Sequence, residues 1–471
     1  MSSRQSRQPR PYRRPRRDPV RILAFDALRA VAERGAYANL VLPPLLARAK
    51  ESGGFDGRDA ALATELVYGT LRRQGTYDAV LAACVDRPLR DVDPPVLDVL
   101  SLGAHQLLGT RIPGHAAVSA TVELARCVVG DGRAKFVNAV LRRVAAHDLD
   151  TWLDRVAPPY DDDPEAHLAL VHAHPRWVVS ALWDALGGGR AEIEALLAAD
   201  NERPRVTLAA RPGRSTADEL LKEPGAEPGR WSPYAVRLAD GGEPGALGAV
   251  HDGRAGVQDE GSQLVALALA NAPLTGRDTR WLDGCAGPGG KAALLAALAA
   301  ERGAALVAAE RQPHRARLVA RALDGNPGPY QVVTADSTRP AWRPGAFDRV
   351  LVDVPCTGLG ALRRRPESRW RRRPEDLDGL VTLQRKLLRG ALAAVRPGGV
   401  VGYATCSPHL AETRLVVGDV LDGLTGMTAE RLDARPLLPG VPDLGDGPDI
   451  QLWPHRHGTD AMHLTLLRRT A

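Results

Sequence analysis

Long apolar runs are missing from this chain of 471 residues, since no stretch approaches the roughly 18–20 apolar residues that a membrane-spanning helix needs. The arginine-rich beginning has neither an apolar stretch nor a small-residue cleavage site, so it does not resemble a secretory signal. We therefore expect a cytoplasmic protein without a membrane partner. Hydrophobic residues at 44% and charged residues at 25% are typical of globular chains, and the length predicts about two or three domains.

Cysteine is also scarce in this chain. The five cysteines, an odd number with no C-x-x-C pair, are Cys84, Cys127, Cys285, Cys356 and Cys406. This pattern argues against a disulfide framework and against a zinc site, so we expect reduced thiols and no bound metal. His455 and His457 have no third ligand near them in the sequence, and we interpret them as loop contacts. We interpret Cys84, Cys127 and Cys285 as packing thiols.

Lysine is nearly absent, with five lysines beside 57 arginines. Seven of the arginines lie in residues 1–18, and because the net charge is +6, the remainder of the chain is close to neutral. We expect residues 1–18 to form a disordered basic tail, since arginine and proline leave it no apolar surface to bury. Loose contact with RNA phosphates and a purely solubilising role both fit this tail.

The N-terminal third of the chain has a helical pattern. Apolar residues recur three and four apart, as in residues 22–28 and 61–68, which predicts an all-helical domain over residues 19–147. Residues 148–200 are predicted to form a helical linker, because residues 177–186 and 191–199 are amphipathic.

The pattern then changes to strands. Residues 201–262 are predicted to form a small α+β subdomain, since residues 205–210 and 235–238 alternate like short strands. From residue 263 to residue 471 apolar strands alternate with helices, which predicts a Rossmann-like, doubly wound α/β domain with a mostly parallel sheet. The strand candidates are 280–284, 304–309, 331–334, 349–354, 400–405 and 463–468, and helix candidates include 291–300 and 380–395. Ligands of such a sheet bind at the carboxyl ends of its strands.

A glycine-rich loop follows the first of these strands. It consists of Cys285, Ala286, Gly287, Pro288, Gly289, Gly290 and Lys291. At the start of a helix its backbone can approach a ligand closely. Glu310 ends the next strand, where an acid accepts hydrogen bonds from ribose hydroxyls. Asp336 and Asp353 end the two strands after that, and Asp336 is placed to meet an adenine amino group. The loop departs from the G-x-G-x-x-G pattern and from the P-loop pattern, so we expect S-adenosylmethionine, with Lys291 pairing its carboxylate.

Two of the cysteines close strands of the same predicted sheet. Cys356 lies in Asp353-Val354-Pro355-Cys356, and Cys406 lies 50 residues later in Ala404-Thr405-Cys406-Ser407. A pair of thiols beside a nucleotide-type cofactor suggests covalent chemistry on a base. Cytosine C5 is too electron-poor to take a methyl group unaided, and a thiolate added at C6 makes C5 enamine-like. The spacing leaves open which thiol attacks.

An arginine run follows the first of these thiols. Residues 363–373 contain seven arginines and one tryptophan. We expect Arg363, Arg364 and Arg365 to bind RNA phosphates and Trp370 to offer a stacking face, although a solvated run also fits so arginine-rich a chain. The target base must be reached in single-stranded or splayed-out RNA.

Three phrases of the helical region carry a family resemblance. They are Glu65-Leu66-Val67-Tyr68-Gly69-Thr70-Leu71-Arg72, Leu100-Ser101-Leu102-Gly103-Ala104-His105-Gln106-Leu107 and Phe136-Val137-Asn138-Ala139-Val140-Leu141-Arg142. With them, residues 19–147 resemble the RNA-binding domain of the NusB antitermination factor. The resemblance implies RNA binding, while a scaffold domain without RNA contacts also fits its many acids.

The C-terminal half carries a second resemblance. Its motifs are Gln258-Asp259-Glu260-Gly261-Ser262-Gln263, the glycine-rich loop, Asp353-Val354-Pro355-Cys356-Thr357-Gly358-Leu359-Gly360 and Ala404-Thr405-Cys406-Ser407. It resembles the RNA cytosine-C5 methyltransferase family, in particular the bacterial branch that acts on small-subunit (16S) ribosomal RNA and has a fused NusB-like domain. The resemblance implies that Cys406 is the nucleophile and that Cys356 assists product release. It also assigns the cofactor to the loop and to Glu310, Asp336 and Asp353, and we expect Asp353 to hydrogen-bond or protonate the base at N3.

Three positions depart from the family's pattern. Gly287 stands where many relatives have Ala, Glu310 where Asp is usual, and Ala411-Glu412-Thr413 where Glu-Glu-Asn is usual. DNA cytosine methyltransferases place the nucleophile in the Pro-Cys motif, so Cys356 is the alternative nucleophile. The alternative functions are the same chemistry on transfer RNA or another RNA, and a non-catalytic RNA-binding or ribosome assembly factor. We expect a monomer whose partner is RNA.

Overall fold

The computed structural model describes residues 17–239, 244–339 and 341–471. The chain divides into two compact units, the first ending at Ala173 and the second beginning at His174, within the residues predicted as a linker. The predicted tail, residues 1–18, lies outside the described residues except for its last two. Among the helices of the described ranges, none is long and apolar enough to cross a membrane.

The longer elements of the first unit are all α-helices. Its helices are α1 (Pro19–Arg34), α2 (Ala38–Glu51), α3 (Gly57–Arg72), α4 (Gln74–Cys84), α5 (Pro94–Leu108), α6 (Gly114–Val128), α7 (Asp131–Val144), α8 (Leu149–Val156) and α9 (Pro164–Val171). Polar caps begin several of them. The side chain of Asp18 accepts a hydrogen bond from Arg21 N at 3.1 Å at the start of α1, and Asp56 and Asp59 form a capping box at the start of α3.

The helices of this unit share one apolar core. Val99, Leu100 and Leu102 of α5 are fully buried in it. Gly103 lets α7 approach α5, because a Cβ at this position would lie 2.7 Å from Leu141 Cδ2. The periodic apolar pattern of residues 19–147 therefore marked real buried faces, and the predicted all-helical bundle is confirmed.

The second unit begins with helices and a small sheet. Its first elements are α10 (Arg176–Leu186), α11 (Arg190–Ala199), β1 (Thr207–Ala210), α12 (Ala217–Leu220), β2 (Glu227–Pro228), β3 (Ala235–Arg237), α13 (Gly248–His251) and β4 (Ala255–Val257). The strands pair antiparallel in the order β2-β3-β1-β4 around Leu208, Val236 and Ala255. The predicted strands correspond to β1 and β3, whereas the short strands β2 and β4 were not predicted.

A large sheet dominates the remainder of the second unit. Its elements are α14 (Glu260–Asn271), β5 (Arg280–Asp283), α15 (Gly290–Glu301), β6 (Ala305–Glu310), α16 (Pro313–Leu323), β7 (Tyr330–Thr334), β8 (Phe347–Asp353), α17 (Ser368–Arg371), α18 (Asp376–Ala394), β9 (Val395–Thr405), α19 (Arg414–Asp422), β10 (Ala429–Leu432), β11 (Ile450–Gln451), α20 (Pro454–His457) and β12 (His463–Arg469). The strand order is β10-β12-β9-β8-β5-β6-β7, and β11 pairs with β12. Strands β5 to β9 are parallel, whereas β10, β11 and β12 pair antiparallel. The predicted mostly parallel, Rossmann-like sheet is confirmed.

Helices cover both faces of this sheet. Trp281 of β5 and Leu351 of β8 belong to a core formed with α14 and α15. Their strand neighbours Leu282, Val350 and Val352 belong to a second core formed with α18 and α19. Successive strand residues point to opposite faces, so these central strands are buried on both sides, as their continuous apolar sequence indicates.

Arg349, near the start of β8, ties the sheet to the end of α14. Its guanidinium donates to Leu269 O and Ala272 O, each at 2.7 Å, and to Asp278 Oδ2 at 2.7 Å. It also lies 5.3 Å from the ring centre of Trp281. The residue is only 6% exposed, so its charge depends on these acceptors for the solvation that water would supply.

We expect the substitution Arg349→Leu to lower the free energy of unfolding by roughly 2–4 kcal/mol, because it removes the buried charged donor that two backbone carbonyls and the Asp278 carboxylate share. Urea denaturation followed by circular dichroism measures this change. Arg343→Leu is the matched control, since Arg343 is exposed. Equal unfolding free energies for the two variants would contradict the anchoring role of Arg349.

Candidate active site

Three loops that follow neighbouring strands meet at one edge of the large sheet. Strand β8 lies between β5 and β9, so the glycine-rich loop after β5, the Cys356 loop after β8 and Cys406 after β9 lie side by side. Val354 N donates to Ala404 O at 2.9 Å, which continues the pairing of β8 and β9 up to this edge. The structure thus brings both predicted thiols to one place.

The two thiols are in direct contact. Cys356 Sγ and Cys406 Sγ lie 3.4 Å apart. A backbone hydrogen bond from Gly360 N to Cys406 O, at 2.9 Å, holds their loops together. Ala461, in the segment before β12, also donates from its N to Gly360 O at 2.9 Å. A Cβ at position 360 would lie 2.3 Å from Ala461 O, so this close approach requires glycine.

A lysine and an aspartate lie next to the thiols. Lys291 Nζ donates to Asp353 Oδ2 at 2.8 Å and to Ser262 Oγ at 3.1 Å. Burial alone would lower the pKa of Lys291, but Asp353 more than offsets it and the pKa is raised, so the ammonium stays charged. Lys291 therefore holds a positive charge where the glycine-rich loop, Asp353 and the thiols meet.

The pKa values of the two thiols are shifted in opposite directions. The pKa of Cys406 is lowered by the hydrogen bond from Cys356, which outweighs burial and the Asp353 carboxylate, and the Lys291 ammonium also acts in the lowering direction. The pKa of Cys356 is raised well above its ordinary value by its hydrogen bond to Cys406 and by burial, with Glu412 and Asp353 acting in the same direction. These opposite shifts favour Cys406 as the thiol that ionises first, which makes Cys356 the hydrogen-bond donor to it.

The glycine-rich loop is packed tightly against β6 and α16. Ala286 N donates to Ala309 O at 2.9 Å, and Arg315 Nη2 donates to Gly287 O at 2.7 Å. Gly289 has φ 117°, a conformation that side chains rarely adopt. A Cβ at Gly287 would lie 2.1 Å from Glu310 Oε2, so the carboxylate of Glu310 occupies the space beside the loop backbone.

The rest of the loop leads directly into α15. Ala286 is buried, Pro288 is exposed, and Gly290 is the first residue of the helix. Cys285 packs beside the second core of the sheet, and burial followed by the charge of Asp283 raises its pKa well above the ordinary value. Cys285 thus stays a thiol rather than a thiolate.

The predicted acids lie around this loop. Asp283, at the end of β5, accepts from Cys285 N at 3.1 Å, while its Oδ2 is buried without a hydrogen-bond partner among the described residues. Burial raises the pKa of Asp283 to about 7. Glu310 is buried and accepts from Gln312 N at 2.8 Å. An unpartnered buried oxygen beside a backbone cradle fits a ligand that carries hydrogen-bond donors.

Asp336 lies at the more open side of the site. Its Oδ1 accepts from Thr338 N at 2.9 Å and from Thr338 Oγ1 at 2.7 Å, and its side chain is 38% exposed. These hydrogen bonds, the side-chain one first, lower its pKa. Its carboxylate stays ionised and retains capacity to accept a further hydrogen bond.

The predicted RNA-binding residues are in different environments. Arg363 is 7% exposed and donates to Gly458 O at 3.0 Å. Arg364 is exposed but binds Asp460 through two hydrogen bonds, one of them from Nε at 3.0 Å. Arg365 and Trp370 are exposed, with Trp370 at 36%. Burial thus makes Arg363 unavailable to a phosphate in this structure, because its guanidinium faces protein acceptors rather than solvent.

The late histidines bind protein groups. His455 Nε2 lies 2.6 Å from Glu192 Oε1, and His457 Nε2 lies 2.8 Å from Pro442 O. In the ranges that the structure describes, no group of three or more His, Cys, Asp or Glu side chains is arranged to hold a metal ion.

Three side chains of the site received no role from the sequence. Asp283 carries the unpartnered oxygen, Ser262 contacts Lys291, and Glu412 contacts the Cys356 loop through Thr357 N at 2.8 Å. Two of them had a sequence signal, since Asp283 ends a predicted strand and Ser262 belongs to the motif of residues 258–263.

Two family models match this chain. The family described as 16S rRNA methyltransferase RsmB/F matches residues 269–468, and the NusB family matches residues 18–146. A ribosomal RNA small subunit methyltransferase B of Shewanella oneidensis is 31% identical over 456 residues, covering 95% of this chain and 98% of the relative. A relative from Mycobacterium tuberculosis, named in general terms as a methyltransferase, is 56% identical over 460 residues. The match covers 98% of this chain and 98% of the relative.

Solved structures share the fold. The crystal structure of PH0851 has a TM-score of 0.78 at 20% identity and covers 97% of this chain and 100% of its own. A methyltransferase homolog protein from Pyrococcus horikoshii has a TM-score of 0.53 at 22% identity, covering 66% of this chain and 99% of its own. With the paired thiols, the glycine-rich loop and the full-length relatives in agreement, the chain belongs to the 16S rRNA methyltransferase RsmB/F family and carries a NusB-family domain in its N-terminal part.

Proposed function

We propose that this chain is an S-adenosylmethionine-dependent RNA methyltransferase of the cytoplasm that forms 5-methylcytosine in 16S rRNA through a covalent adduct between Cys406 and cytosine C6. The observation that carries the proposal is the contact between Cys356 Sγ and Cys406 Sγ at 3.4 Å beside the Lys291–Asp353 ion pair. Two thiols of different acidity at one site suit a reaction in which one adds to the base and the other assists its release. The relatives named as small-subunit rRNA methyltransferases support 16S rRNA as the substrate.

The residues around the glycine-rich loop fit the proposed cofactor. The unpartnered Oδ2 of Asp283 suits the amino group of the methionyl part, and Glu310 and Asp336 supply acceptors for the ribose and adenine. The loop from Cys285 to Lys291 offers backbone N–H groups at the start of α15. When bound, the cofactor supplies an electrophilic methyl group.

Covalent activation begins with the Cys406 thiolate. It adds to cytosine C6, and the electron pair displaced from the C5–C6 bond moves through the ring toward N3. Asp353 hydrogen-bonds or protonates N3 once it carries a proton, and Lys291 Nζ, which donates to Asp353 Oδ2 at 2.8 Å, is the group placed to pass that proton to it. C5 thereby becomes the nucleophilic carbon of an enamine, able to form a bond to a methyl carbon.

Release requires the opposite steps. A solvent water takes the proton from the methylated C5, the electron pair of that C–H bond re-forms the C5–C6 double bond, and the bond from C6 to Cys406 Sγ breaks with its electron pair on sulfur. N3 gives back the proton or hydrogen bond that it received. We assign Cys356 to this phase, because its sulfur lies 3.4 Å from the sulfur that must leave. A proton available from the Cys356 thiol stabilises the departing Cys406 thiolate through their hydrogen bond.

The RNA surface in this proposal is smaller than the arginine run. Arg365 and Trp370 are the exposed candidates for phosphate contact and base stacking. Arg364 has Asp460 as its protein partner, so we assign it to loop structure first and to RNA second.

The variants Cys406→Ala and Cys356→Ala should behave in opposite ways. Cys406→Ala should abolish methylation and form no adduct, because no thiolate can add to C6. Cys356→Ala should accumulate a covalent RNA–protein adduct on a denaturing gel, because release is impaired. Cys127→Ala, a partly exposed cysteine of α6, is the matched control and should do neither. An adduct with Cys406→Ala instead would exchange the two roles.

Lys291→Met should raise the pKa of Cys406, because the ammonium favours the thiolate. We expect the pH midpoint for alkylation of Cys406 by iodoacetamide to rise, as measured by mass spectrometry of the Cys406 peptide. Lys386→Met changes an exposed lysine of α18 and should leave the midpoint in place. A midpoint that stays or falls in Lys291→Met would show that the lysine does not act on this thiol.

Deleting the gene should remove one methylated cytosine from 16S rRNA. Bisulfite sequencing detects this, because 5-methylcytosine resists the conversion that unmodified cytosine undergoes. Restoring the wild-type gene should restore the mark, and restoring the Cys406→Ala form should not. A cytosine lost from transfer RNA would support the alternative substrate, and an unchanged pattern in all RNA would argue for a non-catalytic factor.

A further inference from the structure

A buried acid lies beneath the two thiol loops. Glu412 is 0% exposed. Its Oε1 accepts from Thr357 N at 2.8 Å and from Gln384 Nε2 at 3.0 Å, and its Oε2 accepts from the Thr357 hydroxyl. These donors are uncharged, so this carboxylate is solvated by hydrogen bonds rather than by a counter-ion at these contacts. A buried charge held in this way is costly, and stability alone favours a neutral residue here.

The contacts of Glu412 lead to the Cys356 loop from both sides. Thr357 directly follows Cys356. Gln384, which donates to Glu412, also donates from Nε2 to Pro355 O at 2.9 Å, directly before Cys356. The acid and Gln384 therefore hold the backbone on either side of this thiol.

The same group of contacts reaches the Cys406 loop. Thr357 Oγ1 lies 3.0 Å from Ser407 Oγ, and Ser407 directly follows Cys406. Because the Thr357 hydroxyl gives its proton to Glu412, the Ser407 hydroxyl must donate to Thr357. In addition, Tyr403 OH donates to the backbone O of Glu412 at 2.6 Å, which fixes the acid to β9.

We propose that Glu412 is a positioning residue that sets the separation of the Cys356 and Cys406 sulfurs. It does so through Thr357, which connects the acid with the loop of each thiol. The positioning of the two sulfurs is a property of the protein without RNA. Only the separate tasks of the two thiols rest on the proposed function. Glu412 touches neither the reacting sulfurs nor the cofactor loop through any hydrogen bond of the described residues.

The charge of Glu412 acts in the same sense as its position. The hydrogen bond with Cys406 and burial are the larger causes of the raised pKa of Cys356, and Glu412 adds to them. The acid below this thiol therefore adds to the preference of Cys356 for the protonated form. Burial makes the effect stronger than it would be at the surface.

The equilibrium of the full chain with glutathione measures the separation of the thiols directly. One oxidised glutathione takes two electrons from the two thiols, and the Cys356–Cys406 disulfide forms. The two thiol protons end on the two reduced glutathiones that are released. The equilibrium constant is the effective concentration of one thiol at the other, and it falls when the loops are no longer held together. Mass spectrometry of the peptide that joins Cys356 to Cys406 distinguishes this disulfide from others.

Glu412→Ala should lower the effective concentration about tenfold, the size expected when hydrogen bonds to a buried charged group are lost. Glu412→Gln should recover most of the loss, because its amide oxygen can still accept from Thr357 N and Gln384 Nε2. Thr357→Val should lower the value in the same direction, and it decides the matter if Glu412→Ala does not fold. In methylation assays Glu412→Ala should lower kcat and leave the KM for the cofactor unchanged.

Glu260→Ala is the matched control for a buried glutamate that binds backbone N–H groups, since Glu260 accepts from Ser232 N at 2.7 Å. It should lose stability and keep the effective concentration of the wild type. The proposal is overturned if Glu412→Ala and Thr357→Val keep that concentration, whatever their stability. The glutathione measurement contains no RNA, so a wild-type protein that fails to methylate cytosine would refute the proposed function and leave this test standing.

Discussion

The contact between the sulfurs of Cys356 and Cys406 is the constraint on which the rest of the site depends. It arises because β8 and β9 are adjacent parallel strands with Asp353 paired to Ala404, so the residues that follow them start at the same level of the sheet. Parallel neighbours lie about 4.8 Å apart, which brings two side chains at strand ends within reach of each other. Two sulfurs 3.4 Å apart then need only a small bias for one to become the nucleophile.

The hydrogen bond between the two sulfurs supplies most of that bias, since it is the largest cause of the lowered pKa of Cys406 and of the raised pKa of Cys356. The ammonium of Lys291 adds to the lowering of the pKa of Cys406, and the acid Glu412 adds to the raising of the pKa of Cys356. The same lysine pairs with Asp353, so the two thiols, this ion pair and the glycine-rich loop lie together at one edge of the sheet. We propose that geometry and these pKa shifts together divide the work between two chemically identical groups, which spacing in the sequence leaves undecided.

The sequence was most informative where strands are buried on both faces, because such strands form short apolar runs, as in β5, β8 and β9. The short strands β4, β10 and β11 have no comparable run and were not predicted. Long-range pairs could not be predicted either. Arg364 and Asp460 are 96 residues apart, and the sequence of the arginine run indicates its positive charge but not its acidic partner. The departures at Gly287 and Glu310, separate in the sequence, are linked in space, since a Cβ at 287 would lie 2.1 Å from Glu310 Oε2.

The measurement that tests the central claim most directly is the identity of the residue joined to the base. RNA containing 5-fluorocytosine carries a C5 fluorine that cannot leave as a proton does, so the adduct persists after methyl transfer. Incubation of the wild-type protein with this RNA and S-adenosylmethionine, followed by nuclease and protease digestion, allows tandem mass spectrometry of the cross-linked peptide. The account predicts a methylated nucleotide on Cys406. A nucleotide on Cys356, or no covalent link in protein that binds the cofactor, would contradict it.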